Sequence, residues 1–203
     1  MVRVPGQETG PIGKMLDTAI DALMVPMVED VAQAEKLVQA VKFPPLGKRS
    51  YGARRTIDLF GRTYAHDGKP QPLLVCQIEN EQGLKNVDAI ATVEGVDALF
   101  FGADDMAVGQ GLPMDKPRPD GYFDEALAKV AQAAKANGKI AGGVFADAQG
   151  MTQAIEMGYT LNVATAEVGL LANGSKDVAG KMRQCPGTVQ KKNNGNGMEQ
   201  GIY

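Results

Sequence analysis

A parallel α/β fold is what this sequence predicts, and three observations carry that reading. Short apolar runs alternate with amphipathic segments along most of the chain. The run at 73–78 (LLVCQI) is almost wholly apolar, as a strand covered on both faces is. Glycine supplies 25 of 203 residues, against a usual share of about 7%, which suits many tight turns.

Each element follows from local pattern. Residues 2–4 form a stub of strand ending at Pro5. Residues 11–20 read as a helix, with Pro11 near its first position and Ile12, Met15, Leu16 and Ala19 on one face. Residues 22–28 (ALMVPMV) read as a buried strand. Asp30 is placed to cap a helix whose stripe is Val31, Ala34, Leu37, Val38 and Val41, stopped by Pro44 and Pro45. Residues 47–72 form a long, basic connection with a short helix. After the strand at 73–78 come a helix at 82–93 and a strand at 98–101. A helix at 120–137 ends at Gly138. A strand at 140–145 follows, then a helix at 148–157 closed by Gly158. The last strand covers 161–164 and the last helix 168–183. Residues 1–185 make one domain, and 186–203, rich in Asn, Gly, Gln and Lys, read as a disordered polar tail. Asp21 and Asp97 each stand just before a strand, an echo that fits repeating βα units.

Composition excludes several classes. Twenty-one basic against 24 acidic residues leave a net charge of −3, so neither nucleic acid nor an anionic membrane surface is the expected partner. Tryptophan is absent and aromatics are 5%, which disfavours base-stacking platforms. No run approaches the 18 or so apolar residues of a membrane span. Cys76 and Cys185 form no CxxC pair, and the N-terminus lacks a signal-peptide pattern. A reducing cytoplasm is therefore the expected compartment.

In parallel α/β proteins chemistry gathers at the carboxyl ends of strands. There the sequence offers Arg3, then Pro26 and Met27, then Gln77 and Glu79, then Gly102, Ala103, Asp104 and Asp105. Gln77 and Glu79 are two apart and share a strand face. An acid ending an apolar strand needs a partner, and Glu79 with Asp105 would suit a hard divalent cation. The plainer alternative makes Glu79 a helix cap and Asp105 a turn residue. His66, the only histidine, falls in a polar loop, which excludes a His-rich zinc site. Lys48, Arg49, Arg54 and Arg55 form either a solvated loop face or an anion-capturing cluster. The stretch 108–111 (VGQG) lacks the third glycine of a dinucleotide loop. Cys76 is expected in the core.

The segments 23–28 (LMVPMV), 43–47 (FPPLG), 77–80 (QIEN) and 95–102 (GVDALFFG), with Asp105, together resemble the HpcH/HpaI aldolase family. That family includes metal-dependent 4-hydroxy-2-oxoheptanedioate and 2-dehydro-3-deoxyglucarate aldolases. The resemblance runs from Arg3 to about Arg183. It implies a TIM (β/α)8 barrel of the phosphoenolpyruvate/pyruvate type, usually a homo-oligomer. It also implies cleavage or formation of a carbon–carbon bond in a 2-oxo acid, giving pyruvate and an aldehyde. On this resemblance Glu79 and Asp105 hold the divalent cation (Mg²⁺, Mn²⁺ or Co²⁺), and Arg3 contacts the keto oxygen as the catalytic arginine. Gln77 and the backbone of Gly102, Ala103 and Asp104 bind substrate. The family usually reads Gly-Pro-Ala-Asp-Leu where this chain reads Gly102-Ala103-Asp104-Asp105-Met106, so Asp104 is expected to alter carboxylate binding or compete for metal. The family also has two strands before the Arg3 strand, the second carrying a general-base histidine. The expectation is thus a barrel of about six βα units, with the base supplied by water, His66 or another subunit. Two rival readings are a catalytically impaired barrel fragment or assembly partner, and a citrate-lyase-β-like acyl-CoA lyase using residues 48–55 for CoA phosphates.

Overall fold

The structure is a computed structural model that describes residues 1–52, 54–66 and 71–185. The expected disordered tail at 186–203 lies outside the described residues. Six strands run parallel in sequential order: β1 (Val2–Arg3), β2 (Ala22–Val25), β3 (Leu73–Ile78), β4 (Ala98–Phe101), β5 (Ile140–Val144) and β6 (Tyr159–Val163). Every neighbouring pair is parallel. The sheet curls into a half-barrel, with β1 and β6 at its two edges.

Side chains alternate across the sheet, as a pleat requires. Leu23, Val25, Leu74, Cys76, Ile78, Leu99 and Phe101 face the helices and form the main core. Ala22, Met24, Val75, Ala98 and Phe100 form a second, smaller cluster on the opposite face. Cys76 is fully buried in the main core, as expected, and burial pushes its thiol up to about 12.

The helices are α1 (Thr9–Leu16), α2 (Val31–Val41), α3 (Arg54–Phe60), α4 (Glu81–Lys85), α5 (Val87–Ala91), α6 (Ala103–Gly109), α7 (Asp124–Ala136), α8 (Ala148–Met157) and α9 (Glu167–Arg183). Asp30 caps α2 as predicted, its Oδ1 accepting from the Gln33 N–H at 2.8 Å. Gly158 closes α8 at φ 106°, in the left-handed region.

Four expectations need correction. The single helix at 82–93 is two, because Asn86 leaves helical geometry at φ −95°, ψ 4° and its Nδ2 donates to the Glu29 carbonyl at 2.7 Å. The helix at 120–137 begins at Asp124, after a turn with Gly121 at φ 71°. The strand at 22–28 stops at Val25, since Pro26 has no N–H to donate. The helix α6 was not expected, and Asp105 lies in its first turn rather than in a loop.

The Asp21–Asp97 echo has a structural meaning at Asp97. Its Oδ2 accepts from Lys42 Nζ at 2.6 Å and from the Leu74 N–H at 2.7 Å. Lys42 Nζ also donates to the Pro72 carbonyl at 2.8 Å. This buried lysine ties the end of α2 to the starts of β3 and β4. Replacing Asp97 by Ala strands the ammonium and one strand N–H, so Asp97→Ala should lower unfolding stability by about 2–3 kcal/mol. Urea denaturation of both proteins checks this; equal midpoints would refute it.

Candidate functional site

The site grows from one irregularity in β2. After Val25 the chain bulges through Pro26 and Met27, then rejoins β3 where the Val28 N–H donates to the Gln77 carbonyl at 3.1 Å. Met27 takes φ 55°, a left-handed value that a side chain adopts only under constraint. That conformation turns its N–H onto Glu79 Oε1 at 2.8 Å. The constraint is visible. Gln7 Nε2 donates to the Pro26 and Met27 carbonyls at 3.2 and 2.8 Å. Asn80 Nδ2 donates to Glu29 Oε1 at 2.8 Å.

Glu79 is 1% exposed. It does not cap α4, which settles one alternative: Asn80 is the cap, its Oδ1 accepting from the Gly83 N–H at 2.8 Å. Glu79 Oε2 is buried and has no hydrogen-bond donor. Asp105 faces it closely enough that a proton on one carboxylate would bond the other. With both ionised, Oε2 is an orphaned acceptor, an unfavourable state for a buried group. Burial first, and then the neighbouring Asp105, push the Glu79 carboxyl up to about 7, against the opposing pull of the Met27 N–H and Arg3.

Gly102 closes the other side. A Cβ there would lie 2.6 Å from Glu79 Cβ, 2.7 Å from Oε2 and 2.9 Å from Gln77 Nε2. No side chain fits, so backbone approaches the carboxylate directly. Arg3 arrives from β1 and its Nε donates to Gln77 Oε1 at 2.9 Å. Arg3, Gln77, Glu79, Gly102 and Asp105 are thus brought together at the carboxyl ends of β1, β3 and β4.

Other candidates lie elsewhere. Asp104 is held by Arg118: Nη2 donates to its Oδ1 at 2.7 Å, and Nη1 to the Ala103 carbonyl at 3.0 Å. Its carboxylate is thus paired with Arg118 on an exposed face of α6. Arg49 is buried rather than solvated, stacked 4.6 Å over the Phe43 ring. Arg54 pairs with Asp58 at 2.6 Å, and Arg55 Nε donates to the Thr18 carbonyl at 3.1 Å. Of the basic stretch only Arg49 is buried; Lys48, Arg54 and Arg55 are exposed. His66 is exposed on the connection entering the start of β3, at the sheet end opposite Glu79. Sequence reasoning placed Met27 at a strand end without a role, and missed Gln7, Arg118 and the capping by Asn80. Only Asn80 carried a signal, an Asn three residues before Gly83 at a helix start.

Two carboxylates from separate elements form the oxygen donor set; among the described residues no third Asp, Glu, His or Cys joins them. A hard divalent cation fits such a pair, its other positions being filled by water or substrate oxygens. The orphaned Oε2 and the space kept by Gly102 support that fit.

The HpcH/HpaI aldolase/citrate lyase family pattern matches residues 1–174. The hydroxypyruvate/pyruvate aldolase of Roseobacter denitrificans is 35% identical over 188 residues, spanning 91% of this chain and 72% of that protein. The 5-keto-4-deoxy-D-glucarate aldolase of Escherichia coli O6:H1 is 33% identical, spanning 88% of this chain and 70% of that one. Among solved structures, an HpcH/HpaI aldolase from Desulfitobacterium hafniense DCB-2 superposes with a TM-score of 0.80 at 26% identity, covering 93% of this chain and 74% of that chain. The chain belongs to the HpcH/HpaI aldolase/citrate lyase family.

The raised Glu79 carboxyl has a signed consequence. The unfolded group titrates near its ordinary 4.5 and the folded one near 7. Its neutral form is favoured by folding, so its contribution is fully present below about pH 4.5 and is lost as pH rises through about 7. In protein treated with chelator, stability should fall across that window by on the order of 2–3 kcal/mol more than in Glu79→Gln. Melting temperatures at pH 5, 6, 7 and 8 test this; parallel profiles for the two proteins would refute it.

Proposed function

We propose that this family member is a metal-dependent aldolase that makes or breaks a carbon–carbon bond in a 2-oxo acid, with pyruvate as one partner and an aldehyde as the other. The observation that carries the reading is the Glu79 carboxylate, fixed at Oε1 by the strained Met27 N–H and left open at Oε2 beside Asp105. The relatives are aldolases by name, one of them a hydroxypyruvate/pyruvate aldolase, which supports the same class.

Glu79 and Asp105 would hold the cation. Bound there, a Mg²⁺, Mn²⁺ or Co²⁺ ion would supply Lewis-acid polarisation of the 2-oxo acid oxygens. Arg3 is oriented by Gln77 and makes no other hydrogen bond among the described residues. Its remaining N–H groups are available to the keto oxygen, where negative charge develops as the bond breaks. The backbone of Ala103 and Asp104, in the first turn of α6, would receive the substrate carboxylate, since the first N–H groups of a helix have no partner within it. The proton for the aldehyde oxygen needs a separate base. His66 lies at the far end of the sheet, so the base would come from water or another subunit.

The acyl-CoA lyase reading is the runner-up: it would use residues 48–55 for phosphates, where Arg49 is buried while Lys48, Arg54 and Arg55 are exposed. The impaired-fragment reading separates from the leading one by enolate formation. Exchange of pyruvate methyl protons in D₂O, followed by NMR, isolates that step from the unknown aldehyde. We expect exchange that requires Mn²⁺ or Mg²⁺ and falls at least 100-fold in Asp105→Asn. A folded protein without metal-dependent exchange, or a fully active Asp105→Asn, would overturn the aldolase assignment.

A homo-oligomer is part of the same proposal. All 17 residues of α9 lack burial, and Val168, Leu171, Val178 and Met182 are exposed at a spacing that aligns them on one face. Glu167 begins the helix and Lys181 and Arg183 end it, so two copies packed antiparallel would also match in charge. Light scattering should give at least twice the 21.4 kDa chain mass, reduced in Leu171→Glu. A folded, monodisperse monomer would refute this.

A further inference from the structure

The peptide between Pro26 and Met27 is gripped at both ends. Its N–H, on Met27, donates to Glu79 Oε1 at 2.8 Å. Its oxygen, on Pro26, accepts from Gln7 Nε2 at 3.2 Å. A trans peptide is planar, with its oxygen and its hydrogen on opposite sides. Among the described residues the only cis bond is Pro44–Pro45, so this peptide is trans. Fixing the Pro26 oxygen therefore fixes the direction of the Met27 N–H. The same Nε2 donates to the Met27 carbonyl at 2.8 Å, which pins the next peptide as well. With the peptides on both sides of Met27 held, its left-handed φ of 55° is held too.

Gln7 suits this task by chemistry and by place. Its amide nitrogen carries two hydrogens, one for each carbonyl. Its three hydrogen-bonding neighbours are all oxygens, the third being Gln33 Oε1 at 3.4 Å. The nitrogen is thus the end of the amide turned inward. A glutamate of the same shape would have nothing to donate, and an asparagine is shorter by one methylene. Among the described residues no other donor bonds the Pro26 or Met27 oxygen. Gln7 stands on the connection from β1 to α1, the same short segment that begins with Arg3.

We propose that Gln7 is a positioning residue for the cation site: through the Pro26–Met27 peptide it aims an N–H at Glu79 Oε1, which leaves Oε2 as the oxygen turned to Asp105 and the metal. The proposal rests on the cation reading given under the proposed function. Gln7 donates only to Pro26, Met27 and Gln33, so it acts on Glu79 through the peptide alone. Without that grip the Met27 peptide leaves its strained conformation. Glu79 then loses its one donor, and the two carboxylates no longer present a fixed pair. Removing a group that orients a metal ligand typically weakens metal binding by about ten- to 100-fold.

The test uses the whole chain, with Mn²⁺ as the probe. Gln7→Met keeps the length and removes the donor, whereas Gln7→Lys keeps hydrogens to donate. The first quantity is exchange of the Met27 amide hydrogen with solvent, followed by NMR without metal. The reference is the Leu74 amide, which donates to Asp97 Oδ2 at 2.7 Å at the opposite end of the sheet. Gln7→Met should speed exchange at Met27 by about ten-fold or more and leave Leu74 unchanged, whereas a general loss of stability would speed both. The second quantity is the Mn²⁺ dissociation constant, which should rise by about ten-fold or more in Gln7→Met and return toward the native value in Gln7→Lys. If Gln7→Met does not fold, Gln7→Ser takes its place. Unchanged Met27 exchange, or faster exchange with unaltered Mn²⁺ affinity, would overturn the proposal. If the native protein binds no Mn²⁺, the cation reading falls, and the amide comparison alone decides the role of Gln7.

Discussion

The burial of one carboxylate organises the functional end of this protein. Glu79 sits at the tip of β3 with almost no solvent, and a charge there is unfavourable without compensation. One oxygen is compensated by the Met27 N–H; the other is not. The surrounding structure follows from these two facts. A backbone donor must reach Oε1, so β2 bulges and Met27 is strained. Close access to Oε2 must stay open, so position 102 has no side chain. An uncompensated oxygen next to a second carboxylate is the feature on which the proposed cation site rests.

Strain of this kind persists only when neighbours over-determine it. Gln7 grips the Pro26 and Met27 carbonyls from the segment before α1. Gln33 accepts from the Glu29 N–H at 2.8 Å. Asn80 serves both α4, as its cap, and Glu29, as a donor. These contacts come from three separate segments, and each uses a polar side chain whose alternative partner is water. The bulge is thus held by hydrogen bonds to fixed backbone rather than by apolar packing, which suits a rim that must also admit substrate.

Most of the fold was legible because it rests on periodicity. The strands at 73–78 and 98–101 and the helix at 148–157 match their predicted bounds, each being a continuous apolar run or a capped amphipathic stripe. The pairing of Glu79 with Asp105 was also legible, because both follow strands. What escaped was tertiary. Asn86 divides a helix by bonding a distant carbonyl, and no local pattern announces that. Met27 has a side chain ill-suited to φ 55°, so the sequence argues against the very turn that builds the site. The pairing of Asp104 with Arg118, fourteen residues on, also carried no local signal.

The two ends of the sheet divide the protein's charged groups by role. At the starts of the strands, Lys42 is matched by Asp97, while Arg49 is fixed by Leu16 and Phe43. Those groups tie the chain's long α2–β3 connection to the sheet. At the carboxyl ends, Glu79 and Asp105 are brought together although like charges repel. Pairing opposite charges stabilises a fold, whereas pairing like charges destabilises it unless a third party arrives. The second arrangement has no structural use that the first would not serve better. Under the proposed function a cation and an oxyanion would account for it, and Arg3, held beside them by Gln77, would supply the positive charge such an oxyanion needs.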